Sequence, residues 1–232
     1  MNVLVVDIGG TRVKILATGR SQHRQFASGP GLTPLRMVAG VKRLAAGWTY
    51  DRVSMGYPGP VVHNLPAAEP HNLARGWVGF DYAKALGCPV RVVNDAAMQA
   101  LGSYRGGKML FLGLGTGLGS TLIVDDVLVP MELGHLPYRK GTFEDYVGLR
   151  GLEKYGKKKW RAYVNDVVVR LVNALLPADV VLGGGNAKLL RTLPRGSRLG
   201  DNADAFVGGF RLWEDTGRRS PTAVRQRKGR SA

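Results

Sequence analysis

Cysteine is almost absent from this chain of 232 residues: Cys88 is the single one. One thiol excludes an internal disulfide and a cysteine-built structural zinc site. Beside Pro89 it reads as a small packed hydrophobe. Long apolar runs are missing as well. Nothing approaches the roughly 18 residues that a membrane-spanning helix needs. The opening Met1-Asn2-Val3-Leu4-Val5-Val6 reaches Asp7 without the basic start and longer apolar stretch of a secretory signal. A cytoplasmic protein with no membrane partner is expected. The most legible site signatures are lacking too. There is no G-x-x-x-x-G-K-[ST], and no H-E-x-x-H. The glycines at 113, 115, 117 and 119 do not make G-x-G-x-x-G. These absences argue against a P-loop, a zinc hydrolase and a dinucleotide-binding turn.

Acid is the remaining shortage. Seventeen Asp and Glu face 33 Lys and Arg, for a net charge of +16. The stretch 216–232 holds six basic residues and no acid, so the preceding body still carries +10. That tail has no apolar periodicity and is expected to be disordered. A basic body points to a polyanionic partner, such as a phosphate polymer, a membrane surface or nucleic acid.

What is present is an ordinary globular composition, 44% hydrophobic and 22% charged, in a chain long enough to bury a real core. Residues 3–28 read as three short strands, with Gly9-Gly10-Thr11 as the turn after the first. Thr33-Pro34 predicts a helix start, with Leu35, Val38, Val41, Leu44 and Ala45 as its apolar face. Arg52 to Met55 reads as a strand entering Pro58-Gly59-Pro60. Val90 to Val93 reads as another, ending at Asn94-Asp95, with a helix from about Ala96 to Tyr104. The second half opens as the first did. A shift of 106 residues lays Leu4-Val5-Val6-Asp7-Ile8-Gly9 on Leu110-Phe111-Leu112-Gly113-Leu114-Gly115. A two-copy repeat of this kind predicts two similar lobes facing a cleft, 1–106 and 107–215, followed by the tail 216–232. The spacing predicts the longest helix over Lys159 to Leu176. A strand over Asp179 to Leu182 and a last helix over Phe206 to Trp213 complete the pattern.

Several clusters could carry chemistry. Glycine turns let backbone N–H groups approach phosphate oxygens, and Asp7 at a strand end could hold Mg²⁺ through water. Either turn alone could equally be a plain hairpin. Asp95, where a strand stops and a helix begins, is either an N-cap or a general base taking a proton from a sugar hydroxyl. Glu132-Leu133-Gly134-His135, with Glu144 nine residues beyond, offers acceptors and donors suited to hydroxyl groups; the alternative is a surface loop. His63 and His71 flank a proline-rich loop and are read as incidental. Arg139, Lys140, Arg150, Lys154, Lys157, Lys158, Lys159 and Arg161 crowd one stretch, offset only by Glu144, Asp145 and Glu153. This is either a solvated basic surface or a track for a phosphate chain longer than ATP.

In this order, Asp7-Ile8-Gly9-Gly10-Thr11, Pro58-Gly59, Asn94-Asp95-Ala96, Gly115-Thr116-Gly117-Leu118-Gly119, Glu132-x-Gly134-His135 and Gly183-Gly184-Gly185 resemble the ROK family of sugar kinases. The match runs over roughly residues 3–213. Asn72-Leu73-x-x-Gly76-Trp77-x-Gly79 is similar to the polyphosphate glucokinases of that family. The resemblance implies an α/β, actin-like ATPase (ribonuclease-H-like) fold with two similar lobes around a cleft. It implies a glucokinase-type transfer from polyphosphate or ATP, with Mg²⁺, to the 6-hydroxyl of glucose or a related hexose. It implies Asp95 as base and Asn72, Asn94, Glu132, His135 and Glu144 as the sugar-holding set. Asp7, Gly9, Gly10, Thr11 and Lys14, with Gly115, Thr116 and Gly117, fall to the phosphate clamps, and Gly184 and Gly185 to the element near a nucleotide base. A homodimer is implied as well. The cysteine-rich zinc motif usual after Glu-x-Gly-His is missing, and the chain is shorter than most members between Gly148 and Trp160. Ala96-Ala97-Met98-Gln99 also replaces the commoner residues after the base. The rival reading is a kinase-like regulator or binding protein without catalysis. With Asp7 so near the start, a DNA-binding segment before the kinase-like part is not expected, which argues against a nucleic-acid partner.

Overall fold

The hydrophobic runs and glycine turns become two sheets of the same plan. The computed structural model describes residues 1–201 and 203–214; the basic tail 216–232 lies outside the described residues. In chain order the elements begin with β1 (Val3–Ile8), β2 (Arg12–Ala17), β3 (Arg24–Ala27), α1 (Pro34–Leu44) and β4 (Arg52–Tyr57). Then come β5 (Val61–Val62), β6 (Leu65–Pro66), α2 (Tyr82–Leu86), β7 (Val90–Asn94) and α3 (Asp95–Ser103). The second half holds β8 (Lys108–Leu114), β9 (Leu118–Val124), β10 (Val127–Met131), β11 (Pro137–Tyr138) and β12 (Gly141–Thr142). It ends with α4 (Phe143–Val147), α5 (Leu149–Leu175), β13 (Asp179–Gly183), β14 (Ser197–Leu199) and α6 (Asp204–Arg211).

One sheet runs β3-β2-β1-β4-β7 and the other β10-β9-β8-β13-β14. In each, an antiparallel three-strand meander is extended by two parallel strands. The repeat read from the sequence is therefore a repeat of topology, and the 106-residue shift lays β1 on β8 and β2 on β9.

β1 is buried on both faces, which is why its sequence is an unbroken apolar run rather than an alternation. Leu4, Val6 and Ile8 enter a core with Met37, Val38 and Val41 of α1. Val3 and Val5 face the other way, onto Met98 of α3 and Ala205 and Phe206 of α6. In the second sheet Leu110, Leu112 and Leu114 pack on Trp160, Val164, Val167, Val168 and Leu171 of α5. Met109 and Phe111 pack on Ala96 and Ala100 of α3. Helix α3 thus touches both sheets. It crosses α6 so closely that a Cβ on Gly102 would overlap the backbone of Asp204, and one on Gly208 the carbonyl of Met98. Although α6 follows the second sheet in sequence, it is tied to the first: Ser54 Oγ donates to Gly209 O at 2.5 Å, and Trp213 Nε1 to Ser54 Oγ at 2.9 Å.

Several expectations need adjusting. Helix α1 starts as read, Thr33 Oγ1 accepting from Arg36 N–H at 3.2 Å with Pro34 in the first turn. Its buried face, however, is Pro34, Met37, Val38 and Val41, and Leu35 is 69% exposed. Both residues lie a turn before Val38, and only the docking angle of the helix chooses between them. The long helix runs unbroken over residues 157–175, close to its predicted start at Lys159, and a shorter helical segment over residues 149–155 precedes it, with Leu152 and Tyr155 packed on the second core. Gly156, at φ 71°, breaks the helical geometry just before the lysines. The stretch after Gly148, where the resemblance implied a shorter chain, is thus helical up to this break. At the other end Leu176 adopts a left-handed conformation and is 74% exposed. No helix among the described residues is long and apolar enough to cross a membrane.

Candidate active site

Asp95 owes its position to the strand that precedes it. β7 ends at Asn94, and α3 starts at once. The cap is Asn94 rather than Asp95: Asn94 Oδ1 accepts from Ala97 N–H at 3.2 Å, and its Nδ2 donates to Gly59 O at 3.1 Å. This leaves Asn94 one amide hydrogen for a ligand. It also frees Asp95 from capping, and Asp95 Oδ1 accepts from Ala96 N–H at 2.8 Å. Asn64 braces the same strand. It donates to Val90 O at 3.0 Å and accepts from Val92 N–H at 2.6 Å.

Burial drives the Asp95 carboxyl up to about 7; the neighbouring charge of Asp7 adds to this and that of Glu132 adds a little more, against a lowering by the Ala96 N–H. Two groups from different halves of the chain therefore act on one carboxyl. Asp7 sits at the end of β1, 7% exposed, with Lys14 Nζ at 3.6 Å across the hairpin. Burial raises its pKa, and Lys14 opposes this. Glu132 precedes a short 3₁₀ turn over Leu133–His135 that brings His135 Nε2 to 4.0 Å from Glu132 Oε2. The two halves meet here at close quarters, since a Cβ on Gly119 would lie 2.8 Å from Ala96 Cβ.

The two glycine turns are built alike. In the first, Gly9 N–H is spent on Arg12 O at 2.9 Å, which leaves the N–H groups of Gly10 and Thr11 as its uncommitted donors. Ser28 Oγ fixes the Gly9 carbonyl at 2.6 Å. Asn72 lies over this turn, its Cβ 3.7 Å from where a Cβ on Gly10 would stand. In the second, Gly115 N–H closes on Gly117 O at 3.2 Å, and Thr116 O accepts from Leu149 N–H at 3.0 Å. A short helical segment, residues 149–155, thus springs directly from this turn, and the helix bearing Lys157, Lys158 and Lys159 follows the break at Gly156. Glu144 Oε2 stands 2.5 Å from a notional Cβ on Gly117, and its Cβ is 3.5 Å from one on Gly134. It joins the glycine turn to the Glu132–His135 loop.

The 183–185 run packs on the same turn. Gly184, at φ 82°, could carry no Cβ without meeting Leu114 O at 2.5 Å, whereas the Cβ position of Gly185 is open. Asn186 follows and was not singled out by the sequence. Its N–H donates to Leu114 O at 2.9 Å and its Nδ2 to Gly115 O at 3.1 Å, so it sets the turn's geometry. An Asn directly after a glycine run was the available signal. His63 lies in the β5–β6 turn at φ 48°, and His71 is exposed; neither joins the cluster.

Asp7 is a fitting anchor for Mg²⁺ that keeps its waters, because such an ion needs only one or two carboxylates besides the substrate phosphates. No group of three or more His, Cys, Asp or Glu suited to direct metal ligation occurs among the described residues. Of the basic stretch, Lys157, Lys158 and Lys159 are exposed. Arg150 pairs with Asp145 at 2.9 Å, and Arg139 lies over the rings of Tyr138 and Tyr163. A cavity of about 530 Å³ between β3 and α1, lined by Ser28, Arg36 and Arg43 among others, contains none of these carboxylates.

No family model matches the chain. It is 27% identical over 202 residues to the polyphosphate glucokinase of Mycobacterium tuberculosis, which covers 78% of this chain and 76% of that protein. Its fold matches the inorganic polyphosphate/ATP-glucomannokinase of Arthrobacter sp. strain KM, with a TM-score of 0.77 and 24% identity over 90% of this chain and 96% of that one. It also matches a ROK family glucokinase from Streptomyces griseus solved with glucose and AMPPNP, with a TM-score of 0.75 and 19% identity over 91% and 99%. The resemblance to ROK sugar kinases read from the motifs is borne out, and the fold is the actin-like ATPase fold.

Proposed function

We propose, from this kinship with the ROK sugar kinases, that the chain is a glucokinase-type hexose kinase moving a phosphoryl group from polyphosphate or ATP to the 6-hydroxyl of glucose. The observation that carries the proposal is Asp95. It is a carboxyl with its pKa brought to about 7, at the start of a helix shared by both sheets and within the influence of Asp7 and Glu132. A base near the working pH is what proton removal from a sugar hydroxyl requires.

In this reading Asp95 accepts the hydroxyl proton as the sugar oxygen bonds to phosphorus and the bond to the donor oxygen breaks. Asn72, Asn94, Glu132, His135 and Glu144 hold the sugar's hydroxyls. The N–H groups of Gly10 and Thr11, those of Thr116 and Gly117, and Lys14 cradle phosphate oxygens. Asp7 would hold Mg²⁺ through water, and the ion when bound neutralises charge on the transferred group. Gly184 and Gly185 would border a nucleotide base when ATP is the donor. Residues 1–106 and 107–215 act as the two lobes, and the protein works as a cytoplasmic homodimer.

For the donor, exposed Lys157, Lys158 and Lys159, at the start of the helix that follows the break at Gly156 and one short helical segment beyond the second glycine turn, support polyphosphate. The decisive assay is formation of glucose 6-phosphate from glucose with ATP and with polyphosphate, run in parallel. Product with neither donor sinks the kinase reading and leaves a kinase-like binding protein or regulator.

A further inference from the structure

The segment from Glu69 to Val78 carries Asn72, yet it has no regular secondary structure. Its shape is set by a single carboxylate. Both oxygens of Glu69 accept from Gly76 N–H at 3.1 Å. Oε2 also accepts from Trp77 N–H at 3.1 Å, and Oε1 from Val78 N–H at 3.4 Å. Three successive N–H groups can converge on one anion only where the backbone turns unusually, and Gly76 supplies this with φ 99°. Partial burial pushes the Glu69 carboxyl up, but the N–H groups of Trp77, Gly76 and Val78 outweigh it and hold the group ionised below its ordinary range.

The loop's flanks are pinned to the core independently of Glu69. Tyr57 Oη donates to Ala68 O at 2.8 Å, and Ala74 N–H to Leu32 O at 3.2 Å. Tyr82 Oη donates to Trp77 O at 2.9 Å, and the Trp77 ring is fully buried against Tyr57. Glu69 therefore closes a loop whose base is already fixed, and Asn72 lies at the tip, over Gly10 of the first glycine turn.

We propose that Glu69 is a positioning residue for sugar binding, its carboxylate closing the 69–78 loop so that Asn72 is presented to the hexose beside the phosphate turn. The proposal rests on the kinase reading and adds to it a residue that touches neither substrate. Asn72 is exposed, so without the closure it would sample many positions, and ordering it would fall on the binding step. The chemistry at Asp95 does not pass through the loop. Loss of Glu69 should therefore weaken sugar binding and spare the step that follows.

The test is Glu69→Gln, which keeps the shape but offers a carbonyl and an NH₂ to N–H groups that need acceptors. Glucose Kd by calorimetry, glucose KM, donor KM and kcat are measured beside the parent. The expected result is a glucose Kd and KM raised about tenfold or more, the scale of a lost charged hydrogen-bond set, with kcat and donor KM within about twofold. Glu69→Asp, which keeps the charge on a shorter arm, is read identically and stands in if Glu69→Gln does not fold. A glucose Kd within about twofold of the parent overturns the proposal, as does a parallel fall in kcat and rise in donor KM, the mark of general loosening. If the parent binds glucose but phosphorylates nothing, the kinase reading fails while the Kd ratio still decides the role of Glu69. If the parent binds no hexose, both fail.

Discussion

Replacing Asp95 by Asn should abolish turnover and strengthen the fold at the same time. The carboxyl is raised from an ordinary 3.8 to about 7 by burial and by the charges of Asp7 and Glu132. A folded-state pKa above the unfolded one means that the folded state holds its proton longer. Stability then falls as pH rises from about 4, and the loss is complete above about 7. Three pH units at about 1.4 kcal/mol each set an upper bound near 4 kcal/mol; since the residue as a whole is only half-buried, about 2–4 kcal/mol is expected. Asn carries no charge to bury, so the variant escapes this cost. Denaturant unfolding at pH 5 and pH 8, with chelator present, should show the variant's advantage growing by about 2 kcal/mol between the two. Turnover of the parent should rise with pH through about 7 as the base ionises. That of Asp95→Asn should fall by about 10²–10⁴, with glucose binding retained. An identical pH slope of stability in parent and variant would refute the electrostatic argument. More than a tenth of normal turnover in the variant would remove Asp95 from the base role.

Four further outcomes are expected. Chelation of Mg²⁺ should stop phosphoryl transfer and added Mg²⁺ restore it, while a zinc-selective chelator leaves the rate unchanged; zinc-reversible inactivation would count against this. Glu132→Ala and Glu144→Ala should raise the apparent KM for glucose, and deoxy-sugars lacking a contacted hydroxyl should be poor substrates; a Glu132→Ala enzyme that binds glucose like the parent would release that loop from sugar recognition. The triple replacement of Lys157, Lys158 and Lys159 by Ala should harm polyphosphate use more than ATP use, and the polyphosphate KM should climb more steeply with salt; equal losses would return these lysines to a solvated surface. Gly102→Ala should destabilise by about 1–3 kcal/mol or more, read by thermal unfolding, because its Cβ meets the Asp204 backbone rather than a side chain that can swing away.

Local chemistry made much of this legible in the chain itself. The apolar run of Val3–Val6 and its copy at Met109–Leu112 could hardly be anything but buried strands, and the glycine turns after them follow from backbone geometry alone. The Thr33-Pro34 helix start is likewise a matter of four neighbouring residues. Asp95 was legible as a candidate because a strand-to-helix junction is a local feature. Its pKa was not, because the burial and the charges of Asp7 and Glu132 that raise it come from segments 88 residues before and 37 residues after it. Leu35 shows the same limit in the core: helical spacing offers two overlapping stripes, and only the angle at which α1 lies on its sheet decides which is buried. Glu69 carried no signal of spacing or type, and Asn186 only its place after a glycine run, since each acts on backbone groups that only the folded loop or turn brings within reach. Periodicity and turn chemistry are properties of a few adjacent residues, and the chain order states them. Desolvation, close glycine crossings such as Gly102 on Asp204, and carboxylates closing loops depend on distances between remote segments, which only the tertiary structure sets.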